Sequence, residues 1–328
     1  MKLSKGSTLA IIGLIVVAAV LLIVDQKSGG SSDALVGKSL FQVNQLTKIT
    51  AVEVSTGNDR ILLKSDDKGS WGLSEDGFPA DASAVKNLIE SLEKVKVERL
   101  ASKDKKNWDK FEVSEAKFIA LTGDAWPKGY RMLLGKNRQG GGQYVGIDER
   151  VYLLSAPIGV SADSGSWALK TLLDIDPKQI KSVRLPTEGK VKQILASRSS
   201  ADKDLELQTK LTQKVKDQEI KNLQNIAKSV RFKDRVDPSN ELAKTALSKA
   251  KVARVELFNG ATFEVKVGKI RKDKDDKYFI DIAATKEADE MEDQIKLLKS
   301  MMKLSKFEID SSTYQKFVKP FKNIIDKS

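Results

Sequence analysis

Residues 39–170 and 171–310 of this chain read as two diverged copies of one unit, and that duplication limits the fold more than any other feature. Phe41-Gln42-Val43-Asn44 returns as Leu173-Asp174-Ile175-Asp176 and again as Phe307-Glu308-Ile309-Asp310. Ile49 to Val54 matches Ile180 to Leu185, Lys86-Asn87-Leu88 matches Lys221-Asn222-Leu223, and Ala116-Lys117-Phe118 matches Ala250-Lys251-Val252. Gly135-Lys136 and Tyr144 match Gly268-Lys269 and Tyr278. The offset stays between 131 (Ile49 to Ile180) and 135 (Lys86 to Lys221) in one order along the chain. Chance rarely holds such a shift, so the sequence predicts tandem lobes, and 328 residues leave room for each to bury a core.

Each lobe reads as α+β, an antiparallel sheet with packed helices. In the first, Ile49 to Ser55 and Arg60 to Ser65 alternate around Thr56-Gly57-Asn58-Asp59, the pattern of a hairpin. Ser70 to Leu73 adds a third strand. Asp81 then caps a helix with Val85, Leu88, Ile89, Leu92 and Val95 on one face. Strands follow at Phe118 to Gly123, Tyr130 to Leu134, Gln143 to Ile147 and Val151 to Leu154, and a short helix at Trp167 to Leu173. The second lobe predicts strands at Ile180 to Leu185 and Lys190 to Ala196 and a helix from Lys216 to Val230. Val252 to Phe258 and Thr262 to Val267 are joined through Asn259-Gly260-Ala261, a tight-turn signal. Tyr278 to Ile282 and a helix from Lys286 to Leu304 complete it. Residues 311–328 form a tail with Phe317, Phe321, Ile324 and Ile325 at helical spacing, interrupted by Pro320.

Residues 8 to 24 form an uninterrupted apolar run preceded by Lys2 and Lys5. At about 1.5 Å per residue it approaches the roughly 30 Å hydrocarbon core of a bilayer. The preceding charges place the amino terminus inside and the rest outside the cytoplasm. Residues 1–25 therefore read as a cytoplasmic tail and transmembrane anchor of a single-pass inner-membrane protein. Residues 26–38 read as a flexible linker. A cleaved signal peptide is the alternative, with Ser28 and Gly30 at acceptable spacing.

The run Gly69-Ser70-Trp71-Gly72-Leu73, then Phe78-Pro79-Ala80-Asp81 and the helix with Val85, Leu88, Ile89 and Leu92, resembles the DUF4340 family. So do Leu133-Leu134-Gly135-Lys136, Tyr144-Val145 and Val151-Tyr152-Leu153. The likeness covers the first lobe and the opening of the second. It implies an envelope protein of unknown activity, associated with ABC transport components like those of gliding motility, and it names no catalytic residue. In this chain the proline that usually follows the tryptophan closely is displaced to Pro79, so the loop at Ser74 to Gly77 is expected to differ.

The chain has neither cysteine nor histidine. Disulfides, thiolate nucleophiles and cysteine zinc sites are excluded, as are the commonest general base and zinc ligand. Ser83-Ala84-Val85-Lys86 fits Ser-x-x-Lys but lacks the companion motifs of the penicillin-binding enzymes, and a helix start with a solvated lysine is the better reading. Asp273-Lys274-Asp275-Asp276 lacks the glycine and glutamate of a calcium loop, and Gly140-Gly141-Gly142 lacks the helix start of a phosphate cradle. Both read as turns. No cofactor, metal or catalytic site is expected.

The formal net charge is +12, from 57 Lys and Arg against 45 Asp and Glu. Lys103, Lys105 and Lys106 lead one basic cluster, and Trp108 and Trp126 stand in loop-like segments beside lysines, where exposure would make them anchors for a partner. These five residues are the candidate partner-binding surface. Nucleic acid is not expected, because the basic residues are interleaved with acidic ones and aromatics are 6%. The leading expectation is a non-enzymatic accessory or scaffold subunit of a transport or envelope-assembly complex, with other envelope proteins as partners. The alternative is a binding module for an anionic lipid surface, polymer or glycan.

Overall fold

The structure, a computed structural model, describes residues 33–188, 193–210 and 216–320. It is mostly sheet with some helices. The first stretch holds helix α1 (Val43–Leu46), strands β1 (Ile49–Thr56), β2 (Arg60–Ser65) and β3 (Trp71–Leu73), and helix α2 (Ala82–Lys94). Strands β4 (Val97–Ser102), β5 (Lys117–Gly123), β6 (Trp126–Asn137), β7 (Gln143–Ile147) and β8 (Arg150–Leu154) follow, with a 3-10 strap at Lys105–Phe111 after β4. After β9 (Thr171–Leu173) come β10 (Ile180–Glu188), β11 (Gln193–Ser197), β12 (Glu206–Leu207) and helix α3 (Asp217–Gln224). Then come β13 (Val230–Arg231), β14 (Asp234–Val236), helix α4 (Glu241–Ser248), β15 (Lys251–Leu257), β16 (Thr262–Lys272) and β17 (Asp275–Lys286). Helix α5 (Glu292–Leu304), β18 (Lys306–Ile309), helix α6 (Ser311–Phe317) and β19 (Lys319–Pro320) close the described chain.

Two eight-stranded antiparallel paths result, ordered β3-β2-β1-β5-β6-β7-β8-β4 and β12-β11-β10-β15-β16-β17-β18-β14, with β19 alongside β10 and a separate β9–β13 pair. The second path repeats the order of the first. The repeated segments at Ile49 and Ile180 open β1 and β10, those at Ala116 and Ala250 lead into β5 and β15, and Gly135 and Gly268 lie in β6 and β16. Phe307 to Asp310 does not share the place of Leu173 to Asp176. Phe307 to Ile309 lie in β18, inside the sheet, whereas Leu173 ends β9. The two phrases share a local role, because Asp176 and Asp310 each accept a backbone N–H at the start of a helical turn.

By compactness the described residues divide into one unit, up to Ile49 with Leu88–Val160, and another, Thr50–Asn87 with those from Ser161 on. In the first, Trp108, Val113, Phe118, Leu133 and Val151 form a core cluster. In the second, the Phe78 ring lies 6.1 Å from Phe232 and 6.1 Å from Phe307, and Phe232 lies 4.8 Å from Phe307. Burying three phenylalanines at these separations ties residues 74–81 to the later segments. That is why compactness does not divide the chain at the repeat boundary.

Turn chemistry sets the hairpins. Gly57 and Gly260 take positive φ, and Leu257 donates to the Ala261 carbonyl around the second turn. Asp273 and Lys274 join β16 to β17, with Asp276 paired to Lys269 at 2.7 Å, as expected of a mixed-charge turn. Gly140 to Gly142 lie in the turn between β6 and β7.

Several expected elements differ. Trp167 to Leu173 is not a helix. A 3-10 turn at Ser164–Ser166 precedes it, Ala168 bridges to Ala80, and β9 pairs with β13. The helix expected from Lys216 to Val230 stops at Gln224, where the Asn225 side chain donates to the Lys221 carbonyl and Ser229 turns left-handed at φ 50°. Lys286 ends β17, so α5 begins only at Glu292. Trp126 opens β6 and is not in a loop. Among the described residues no helix is long and apolar enough to cross a membrane. The apolar run at 8–24 and the tail residues 321–328 lie outside the described residues.

Candidate functional site

The strap at Lys105–Phe111 carries most of the sequence-predicted surface. Asp104 caps it by accepting the Lys106 N–H at 2.9 Å, and Glu112 ends it in the left-handed region. Trp108 is its peg. The side chain is buried in the core cluster, and its indole N–H donates to the Glu149 carbonyl at 3.2 Å. The exposure that would make Trp108 a partner anchor is not met, because a 3-10 strap this short needs one large side chain to hold it down. Lys103, Lys105, Lys106 and Lys110 are exposed. Lys105 lies 4.5 Å over the Trp108 ring and pairs with Glu115 at 3.2 Å, and Lys110 donates to the Asn107 side chain at 2.8 Å. Trp126 belongs to another group, packed at 5.4 Å from both Phe41 and Tyr130. Burial, with lesser effects of Asp148 and Tyr152, raises the Tyr130 phenol well above its ordinary range.

The sequence did not single out the apolar groove between β9 and α5. About 190 Å³ in volume, it is lined by Leu172, Leu173, Ile175, Met291, Leu298 and Met301. Leu297 borders it and keeps 39% of its surface exposed. A signal was present. Met291, Ile295, Leu298 and Met302 account for one helix face, and Leu297 and Met301 widen that stripe beyond what one face requires.

A second cleft, of about 490 Å³, is polar and includes Glu75, Asp76, Asp163, Lys233, Arg235 and Asp237 in its lining. Arg235 organises it: its guanidinium lies 3.7 Å over the Phe78 ring, pairs with Asp76, and donates to Ser305 at 3.1 Å. Asp163 and Asp237 accept local N–H and O–H groups from Gly165 and Ser166 and from Ser239. These carboxylates are occupied with their own loops. Near this cleft Glu308 is held by Lys277 at 2.8 Å and Lys233 at 3.4 Å. Burial alone would raise its carboxyl, but the two lysines outweigh that and hold it below the usual range.

Ser83 and Lys86 stand exposed on α2, the Ser83 N–H donating to Asp81 at 2.8 Å. Among the described residues no group of three or more acidic, histidine or cysteine side chains is placed to hold a metal ion.

No curated protein and no solved structure matches the chain. A family model does, the domain of unknown function DUF4340, over residues 71–250, from β3 to the residue before β15. That match spans more than half of the 328 residues, starts at Trp71 within the family-like run, and makes this chain a member of the DUF4340 family.

Proposed function

We propose that this protein is a non-enzymatic module, anchored through residues 8–24 with its bulk outside the cytoplasm, that serves as an accessory or scaffold subunit of a transport or envelope-assembly complex. We infer further that its two lobes are copies of one ancestral unit, a reading supported by the repeated strand order. The observation that carries a protein partner is the apolar groove beside α5. Leu297 at its rim is exposed although a leucine gains by burial, and the lining is dominated by leucine, isoleucine and methionine.

The insertion that forms this groove is specific to the second path. Between β7 and β8 the chain turns in two residues, Asp148 and Glu149, whereas between the corresponding β17 and β18 it builds α5. A duplicated scaffold with one elaborated copy fits a protein that holds a partner on one side. The test is purification of the full chain from detergent-solubilised membranes with Leu297→Glu beside Val43→Glu, a substitution at a residue 55% exposed in α1. Leu297→Glu is expected to lose a co-purifying envelope protein that Val43→Glu retains. Equal recovery in both variants would remove the groove as the contact surface.

A further inference from the structure

Asp33, the first described residue, is fixed within the stretch 26–38 that the sequence reads as a linker. Its side chain, 5% exposed, accepts the Arg150 guanidinium at 2.7 Å, the Tyr152 hydroxyl at 3.0 Å and the Leu35 N–H at 3.2 Å. Burial alone would raise its carboxyl. The Leu35 amide, the Tyr152 hydroxyl and Arg150 outweigh that and hold it below the usual carboxylate range, so the latch is closed at neutral pH.

The same corner of the unit carries the strap. Val151, next to Arg150, pairs with Ser102, the last residue of β4, and neighbouring strands lie about 5 Å apart. Glu149, on the other side of Arg150, accepts the Trp108 indole N–H. Arg150 therefore lies between the end of the strand that leads into the strap and the residue that holds the strap's tryptophan, while it also holds Asp33. Over residues 103–110 the lysines at 103, 105, 106 and 110 face two carboxylates, Asp104 and Asp109, so four positive charges less two negative leave +2. Asp104 gives one oxygen to the strap's own backbone, and Glu115 pairs with Lys105. Asp109, Asp148 and Glu149 are also exposed at this corner, so the positive surface is the lysine side of the strap and not the whole corner. Lys103 and Lys106 make no ion pair among the described residues.

Only residues 25–32 separate Asp33 from the end of the apolar run, a reach of at most about 30 Å when fully extended. A chain anchored at residue 24 and pinned at residue 33 turns the Asp33 corner toward the membrane. We propose that the strap at Lys105–Phe111, with Lys103 before it, lies against the anionic headgroups of the bilayer that holds residues 8–24. The proposal rests on the reading of that run as a retained anchor.

The chain has no cysteine, so a single introduced one takes a unique label. The full chain would be placed in vesicles of phosphatidylcholine with about one third phosphatidylglycerol. A fluorophore would sit at Lys106→Cys or, as control in the same unit, at Gln139→Cys, exposed in the turn at the far end of β7. A headgroup-attached quencher is expected to act about fivefold more on position 106 than on 139. That excess should vanish in pure phosphatidylcholine, in Lys103→Glu/Lys105→Glu, and when Arg150→Ala opens the latch. Equal quenching at both positions, or an excess that persists without anionic lipid, overturns the proposal while leaving the anchor. Release of the chain from vesicles by alkaline carbonate overturns the anchor and the proposal together.

Discussion

The strap at Lys105–Phe111 runs over β6 at Gly135, and helix α4 runs over β16 at Gly268. A Cβ on Gly135 would stand 2.6 Å from the Phe111 carbonyl oxygen, 2.8 Å from Val113 and 2.9 Å from the Tyr144 carbonyl. On Gly268 it would collide with the Ala246 carbonyl and stand 2.9 Å from the Leu247 nitrogen. Neither glycine needs a positive φ, so both are required by the close approach of a crossing backbone. What fills the crossings differs. The strap inserts Trp108 into its core cluster, whereas α4 turns Ala243 and Ala246 toward Phe279. A short 3-10 segment makes few backbone hydrogen bonds and is held by one large side chain, while a two-turn helix satisfies more of its own backbone and is held by packing a face of small residues that let it sit close. Even the flanking tyrosines keep the parallel. The Tyr144 ring packs, tilted, 4.7 Å from Phe111, and the Tyr278 ring packs, tilted, 4.9 Å from Tyr314.

The sharpest way to break this comparison is to remove the peg. Trp108→Ala is expected to cost about 4 kcal/mol, by lost burial and the cavity left behind. Ala243→Gly in α4 is expected to cost about 1 kcal/mol. Chemical denaturation of each variant gives the two values, and proteolytic cleavage within residues 103–112 should rise for Trp108→Ala alone. Similar costs for both would mean that the strap does not depend on its tryptophan.

Next in size are the glycines. Gly268→Ala is expected to cost about 3 kcal/mol, because the colliding atom is a helix carbonyl that cannot move without shifting α4. Gly135→Ala is expected to cost about 2 kcal/mol, since the Val113 side chain can turn away and the strap end can give. Denaturation midpoints that rank the pair in reverse would show the strap to be the stiffer crossing.

These glycines also mark how much was legible in the sequence. Their offset identified equivalent places, but nothing in the residues around them predicted that a backbone would cross there, because a close approach depends on two distant segments at once. Hairpins were legible wherever glycine or asparagine fixed a turn, as at Asn259-Gly260. Helix ends were not. Lys216 to Val230 carries helical spacing throughout, yet tertiary pairing of Val230 with Leu173 takes its end for a strand. At the candidate site the lysines were found from charge alone, whereas Trp108 beside lysines gave no sign of its burial. The groove is not legible in the sequence because a stripe slightly too wide for one face differs little from an ordinary core stripe.

The smallest expected effect concerns the strands that close the two sheets. Tyr144 pairs with Leu153 and Tyr278 with Ile309, which puts Tyr152 of β8 and Glu308 of β18 in corresponding places. One sheet holds the tyrosine on its strand and receives the carboxylate of Asp33 from the incoming chain, and the other holds the carboxylate on its strand and receives Lys233 and Lys277. Glu308 is held below the usual range by its lysines against the opposing effect of burial. A carboxylate depressed in the folded state adds stability above its unfolded pKa, about 4.3 for glutamate, and that stability is lost as pH falls through the folded value. Glu308→Gln is therefore expected to cost about 1 kcal/mol at pH 7, since both lysines keep part of their surface in water, and progressively less in acid. Denaturation midpoints of the native chain and the variant should hold their separation down to the unfolded pKa and converge only as pH falls below it, through the lower folded value. A gap that stays constant as pH falls through and below the ordinary carboxylate range would mean that Glu308 acts through packing and not through its charge, and the correspondence with the Asp33 latch would then be one of position only.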